Sequence, residues 1–243
     1  MIYSLCTACA SQYISSPMNT PLFSEKGEVL VEAGVSPNSI FANGSYAFSK
    51  KYAAIASCDV SFRNFSDAAD IFSATAGGET AIFAFGGDEA HRAFEAGVGR
   101  FNLLKSEDLL FETFAGIRYG SSISPNNEYP TEGPEYYNKA QYLQGFIQAN
   151  FGKKRKWYEF GWAARMAYSY HDENDVELRS SYMYIHRNYS MIHLEPLCFA
   201  HVGCEHIKFT MRAGFHAGVY LGANFSELLY GNPHISAGLS VRF

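Results

Sequence analysis

The chain has 243 residues, a formal net charge of −5, 16% aromatic residues and only 18% charged ones. That length allows one large all-β domain or two small ones. The acidic balance excludes a nucleic-acid footprint, and the aromatic excess suits strands and membrane interfaces. Five cysteines at irregular spacing make neither a disulfide framework nor a zinc site, and no run approaches the roughly 18 apolar residues of a membrane helix.

In chain order, Met1 to Ala8 has no Lys or Arg and is too short for a signal peptide. Residues 1–26 are read as an export and periplasmic segment with a lone Cys6/Cys9 pair, and 27–243 as one transmembrane β-barrel. Alternation of apolar and polar residues then recurs in block after block. It predicts strands at Glu28 to Val35, Ile40 to Ser49, Tyr52 to Asn64, His91 to Asn102 and Leu109 to Ser121. Further strands follow at Lys139 to Phe151, Trp157 to Tyr170, Met191 to Gly203, Ile207 to Leu221 and His234 to Phe243. Most are near the roughly 9–11 residues that cross a bilayer when tilted.

The connections alternate in length. Short ones are Lys50-Lys51, Leu103 to Asp108, Gly152 to Lys156 and Cys204 to His206; long ones are Phe65 to Ala90, Ser122 to Asn138, His171 to Ser190 and Gly222 to Pro233. Only Ser36 to Ser39 breaks the pattern. Tight turns at one end and long loops at the other are the layout of an antiparallel, up-and-down outer-membrane barrel. Within Trp157 to Tyr170, Tyr158, Phe160, Trp162, Met166, Tyr168 and Tyr170 share one face and Glu159, Gly161, Arg165 and Ser169 the other. Between 207 and 219 the odd residues are assigned to lipid and the even ones to a polar lumen. Phe48, Tyr52, Phe101, Phe151, Tyr158, Phe209 and Phe243 are expected to form the periplasmic aromatic girdle, with Phe62, Tyr119, Tyr168 and Tyr170 in the outer one.

The inward positions include Glu32, Asp59, Glu95, Glu112, Glu159 and Glu195, against Arg118, Arg165, Lys208, Arg212 and Arg242. Charges so numerous in a narrow lumen must pair or keep water, which predicts an ion-pair network in a mostly occluded barrel. A narrow passive channel is the alternative, although no single-sign charge ring is evident. His193, Glu195, His201 and His216 also face inward, as hydrogen-bonded lumen residues rather than a metal site. His171 and Asp172 sit at a strand-loop junction near Asp175, His186 and His91, an arrangement compatible with an omptin-like surface hydrolase. Hydrolase and phosphate-binding motifs are absent, so no catalytic, cofactor or metal role is expected. Tyr-, Asn- and Pro-rich loops could contact an extracellular glycan or protein. A soluble lipocalin-type carrier is the alternative from a different class.

The last residues, "ISAGLSVRF", resemble the terminal strand of bacterial outer-membrane β-barrels, in which a final Phe, here Phe243, is read by the assembly machinery. "CASQYISSPMNTPLFSEKGEVLVEAG" and "HRAFEAGVGRF" are similar to a group of small Bacteroidetes outer-membrane barrels. That resemblance implies a small barrel of no known biochemical activity; the sequence as a whole is read as a monomeric barrel in contact with outer-membrane lipid and lipopolysaccharide. The resemblance also makes Cys9 the candidate lipidation site, with Ala8 correctly placed before it and Cys6 where an apolar residue is expected.

Overall fold

A computed structural model describes residues 17–37, 39–62, 89–103, 109–125, 137–175, 177–178, 181–182, 186–221 and 229–243. Among these, ten strands close an antiparallel barrel: β1 (Val29–Ser36), β2 (Ser39–Tyr46), β3 (Tyr52–Phe62), β4 (Glu89–Leu103), β5 (Leu109–Pro125), β6 (Tyr137–Lys154), β7 (Tyr158–Asp175), β10 (His186–Gly203), β11 (Ile207–Leu221) and β12 (Leu229–Arg242). Two short strands, β8 (Glu177–Leu178) and β9 (Ser181–Tyr182), form a separate hairpin between β7 and β10. Each barrel strand pairs with its neighbour in this order, and β1 pairs with β12, from Leu30 opposite Arg242 to Val35 opposite Ala237. Val29 and Phe243 exchange both backbone hydrogen bonds, at 3.1 and 3.0 Å, and extend this seam.

The ladders run beyond the expected strand ends. β7 and β10 stay in register from Val202 opposite Tyr158 up to His186 opposite Asn174, so much of the expected 171–190 loop is strand. Likewise β5 and β6 remain paired up to Pro125 opposite Tyr137. Backbone pairing does not require apolar side chains, so it continues through polar residues that read as loop.

Period-two alternation sorts the side chains cleanly. Trp162, Val98 and Ile117 are 65%, 63% and 62% exposed on the outer wall, whereas Arg118 and Arg165 are fully buried inside. The odd residues Ile207 to Phe215 face outward and Lys208, Thr210, Arg212 and His216 inward. One girdle assignment is corrected. Phe101 shares the parity of Glu95 on β4, so it points into the lumen and packs 5.6 Å from the Phe23 ring. Phe48, Tyr52, Phe151, Tyr158, Phe209 and Phe243 are outward near the short-turn end, and Tyr119, Tyr168 and Tyr170 are outward on the other half. The side chain of Phe62 lies outside the described residues.

Inside, bulky side chains rest on strand glycines. The tip of the Phe146 ring reaches Gly97 and Gly116, and the Arg165 guanidinium lies 4.4 Å from the ring centroid. A Cβ on Gly116 would fall 2.3 Å from the Ala96 carbonyl oxygen and 2.6 Å from Phe146 Cζ, whereas one on outward-facing Gly145 would meet nothing within 4 Å. Gly116→Val is therefore expected to lower stability by about 1–3 kcal/mol, and Gly145→Ala to change it by less than about 0.5 kcal/mol. Guanidinium unfolding followed by heat-modifiable gel migration compares the two.

Candidate functional site

The lumen is occupied by the chain's own N-terminal segment. Residues 17–23, expected on the periplasmic side, enter the barrel from the short-turn end, where the Ser24 to Glu28 turn reverses the chain into β1. Met18, Leu22 and Phe23 are apolar and bury against lumen residues that include Leu110, Leu197, Phe199, Phe101 and Phe114. This burial favours the lumen over water by the usual hydrophobic term and overrides the polar, proline-containing look of the segment. Its backbone is satisfied by lumen side chains, as a buried non-strand segment requires. The Phe23 amide donates to Glu112 at 2.7 Å, Gln148 donates to the Asn19 carbonyl at 2.7 Å, and Arg242 donates to the Pro21 carbonyl at 2.7 Å. Leu22 adopts a left-handed φ of 50°, unusual for a bulky residue. It is fixed there by complete burial beside Gly152, where a Cβ would come within 2.9 Å of the Leu22 side chain.

Around this segment the charged residues form a network that links neighbouring strands and strands two or three apart in the sheet. Glu32 receives both terminal nitrogens of Arg212, with Thr210 at 2.5 Å and Asn43 at 3.1 Å. Arg165 grips Glu95 through two bonds of 2.7 and 2.8 Å and also donates to Gln148. Arg118 donates to both oxygens of Asp59 at 3.0 and 3.2 Å. Glu159 collects Lys208 at 2.6 Å, Arg242 at 3.1 Å and His201 at 3.0 Å. Glu112 instead meets amides, Phe23 of the inserted segment and the Asn150 side chain at 2.9 Å, while Glu195 lies 4.0 Å from His216. All eleven lumen charges named from the sequence thus lie on the inner side, Arg242 largely buried at the short-turn end. Glu28 also belongs to this system. It accepts from Ser24, Glu25, Lys154 and Arg242. Burial works to raise its carboxyl, but Lys154 and the Ser24 hydrogen bond, with Arg242, hold it at about 2.

Toward the long-loop end the lining changes to histidine and tyrosine. Tyr142 hydroxyl lies 2.7 Å from His91 Nε2 and accepts from Arg118 Nε at 3.0 Å. His171 is stacked between Tyr142 and Tyr189 at 5.2 and 4.6 Å. Ser169 Oγ lies 2.8 Å from His171 and 2.6 Å from His193, whose other ring nitrogen is 3.0 Å from His216. The structure separates the His171–Asp172 pair. Neighbours in a strand face opposite ways, so His171 is fully buried in the lumen and Asp172 lies on the outer side. His91 is likewise a lumen residue, not a rim residue. The side chains of Asp175 and His186, and the whole of Cys9, lie outside the described residues. Among the described residues no group of three or more His, Cys, Asp or Glu side chains could hold a metal ion.

Gln144, Gln148 and Asn150 on β6 are further lumen residues, not anticipated from the sequence, and Ser169 on β7 takes the inward position assigned to it. Their parity with inward Tyr142 and Arg165 was the available signal. The inserted segment had no such signal, because it has no strand period.

No protein-family model matches the chain, and no curated protein matches it. Among solved structures the chain is similar to Ail, the attachment invasion locus protein of Yersinia pestis. The match has 8% sequence identity and a TM-score of 0.33, covering 90% of this chain and 99% of that one.

Two outcomes follow from the network. Arg165→Ala leaves Glu95 buried without its cation and is expected to cost about 3–5 kcal/mol, whereas Glu95→Leu with Arg165→Leu recovers most of the loss; denaturant titration of the three proteins reads this. The folded Glu28 carboxyl lies below its ordinary value of 4.5, so its contribution is complete above pH 4.5 and is lost as pH falls toward about 2. The stability gap between the wild type and Glu28→Gln should therefore be flat above about pH 5 and narrow below it, in denaturant midpoints measured from pH 7 to 3.

Proposed function

We propose that this protein is an outer-membrane β-barrel with a closed lumen and a structural or surface-interaction role, not an enzyme. The observation that carries this reading is the inversion of its two surfaces. The outer wall displays Phe94, Val98, Ile117, Ile147, Trp162 and Leu239, while Glu32, Glu95, Arg118, Arg165 and Arg212 are enclosed. Large contiguous apolar surface is not tolerated in water, but it is what a barrel presents to acyl chains, flanked by aromatic girdles at both interfaces. The same inversion counts against a soluble lipocalin-type carrier, whose apolar residues would line the cavity.

In this reading the short turns face the periplasm and the long connections face outward. The barrel wall contacts outer-membrane lipid and lipopolysaccharide, the assembly machinery reads the strand ending in Phe243, and the outer loops meet a glycan or protein. The protein acts as a monomer. A Bacteroidetes-type origin and acylation at Cys9 belong to the same reading; an acyl chain would add an anchor to barrel insertion. Opposite orientation of His171 and Asp172 removes the residue pair that had suggested an omptin-like hydrolase.

Closure of the lumen is supported by residues 17–23 and the ion pairs around them, which leave a ten-stranded barrel little free cross-section. In planar bilayers the intact protein is expected to give no steady conductance at modest voltage, and the chain lacking residues 1–23 to give discrete steps. Steady steps from the intact protein would establish the narrow-channel alternative instead.

A further inference from the structure

The outer wall is not evenly covered. On its short-turn half, cross-strand pairing sets Thr113 beside Ala149 and Ala149 beside Ala164. This low floor is bounded on one side by Phe111, Phe151 and Trp162, which occupy the next outward positions toward the short turns. On the other side stand Val98, Ile147, Met166 and Leu194. The result is a groove of about 770 Å³ running around the outer face of β4 to β7, with an almost wholly apolar lining.

One end of the groove is different. Arg100 of β4 pairs with Tyr52, the first residue of β3, and both side chains point outward into that end. Arg100 has no ion-pair or hydrogen-bond partner among the described residues. Lys50 and Lys51 are exposed in the adjoining turn, which is fixed to β4 by a 3.0 Å bond from the Phe101 amide to the Lys51 carbonyl. The outward positions of β3 to β6 carry no carboxylate among the described residues. An unpaired guanidinium beside a low-dielectric surface calls for an anion, and the protein wall does not supply one.

We propose that this groove binds one anionic phospholipid of the leaflet at the short-turn end, an acyl chain lying along Thr113, Ala149 and Ala164 and the phosphate held by Arg100. The chemistry fits at both ends. Arginine pairs with phosphate through parallel N–H donors, tyrosine suits the headgroup level, and Lys50 and Lys51 add attraction for an anionic surface. A second copy of the chain docked through the same wall is the weaker occupant, since its β3 to β6 face would bring another Arg100 and no outward acid to receive it.

The site rests on the membrane reading above, and the test separates the two. Protein reconstituted in vesicles of phosphatidylglycerol and phosphatidylcholine is extracted with mild detergent and weighed by native mass spectrometry. One phosphatidylglycerol should remain bound, with about fivefold preference over phosphatidylcholine. Arg100→Gln should bring that preference near one. Ala149→Trp, which fills the floor, should lower retention of both lipids about fivefold or more. Both substitutions face outward, and heat-modifiable migration verifies that each barrel is folded. Equal retention of the two lipids by a folded, inserted wild type overturns the site alone, as does a preference unchanged in Arg100→Gln. A dimer in place of the lipid adduct overturns it in favour of a second copy. Failure of the wild type to enter vesicles overturns the membrane reading and the site with it.

Discussion

Everything in this structure follows from enclosing charged side chains inside a closed ten-stranded barrel. Alternation along a strand sends every second residue inward, and the closed barrel leaves those residues no route to solvent through the wall. A carboxylate so placed must find a cation or several donors, because burial of an isolated charge costs several kcal/mol. Three arginine pairs join strands two or three apart in the sheet and not the members of one hairpin. Glu32 meets Arg212, Glu95 meets Arg165 and Asp59 meets Arg118, separations of 180, 70 and 59 residues. Buried pairs of this kind add little net stability compared with apolar residues of similar volume. Their main effect is on register, since sliding any one strand by a single residue would drive its charge onto the apolar face.

The lumen divides into two chemical regions. Near the short turns it resembles the core of a globular domain, with Phe23, Phe101, Phe114 and Phe146 clustered around the inserted segment and arginines laid against the rings. Beyond that, His171, His193 and His216 with Ser169 and Tyr142 form a stacked, hydrogen-bonded lining. The first region is filled by packed side chains, and the second links its histidines, Ser169 and Tyr142 through hydrogen bonds and stacked rings.

The barrel and the faces of its strands were legible because both depend only on a period of two and on connection length. Glu159, Arg165, Lys208 and Arg212 could be placed inside from sequence, since their neighbours Phe160, Met166, Phe209 and Met211 demand the opposite side. Which cation meets which acid was not legible, because that depends on strand tilt and stagger, which no local pattern encodes. Phe101 lies close to a turn, where a girdle aromatic is expected, but its parity with Glu95 sends it inward. The segment 17–23 escaped because Pro17, Asn19, Thr20 and Pro21 look like linker, and only the finished lumen shows what Met18, Leu22 and Phe23 are for. Strand ends were underestimated where ladders continue through Ser, Asn and Tyr.

Arg242 ties these parts together in time as well as in space. It stands on β12 yet holds the carbonyls of Pro21 and Leu22, together with Glu28 and Glu159. The seat for the N-terminal segment is therefore incomplete until β12 has zipped onto β1. While the sheet is still an open trough, the segment lacks its anchoring guanidinium and the trough floor stays hydrated. Sealing the β1–β12 seam and seating residues 17–23 are thus coupled, because Arg242 on the closing strand is itself part of the seat.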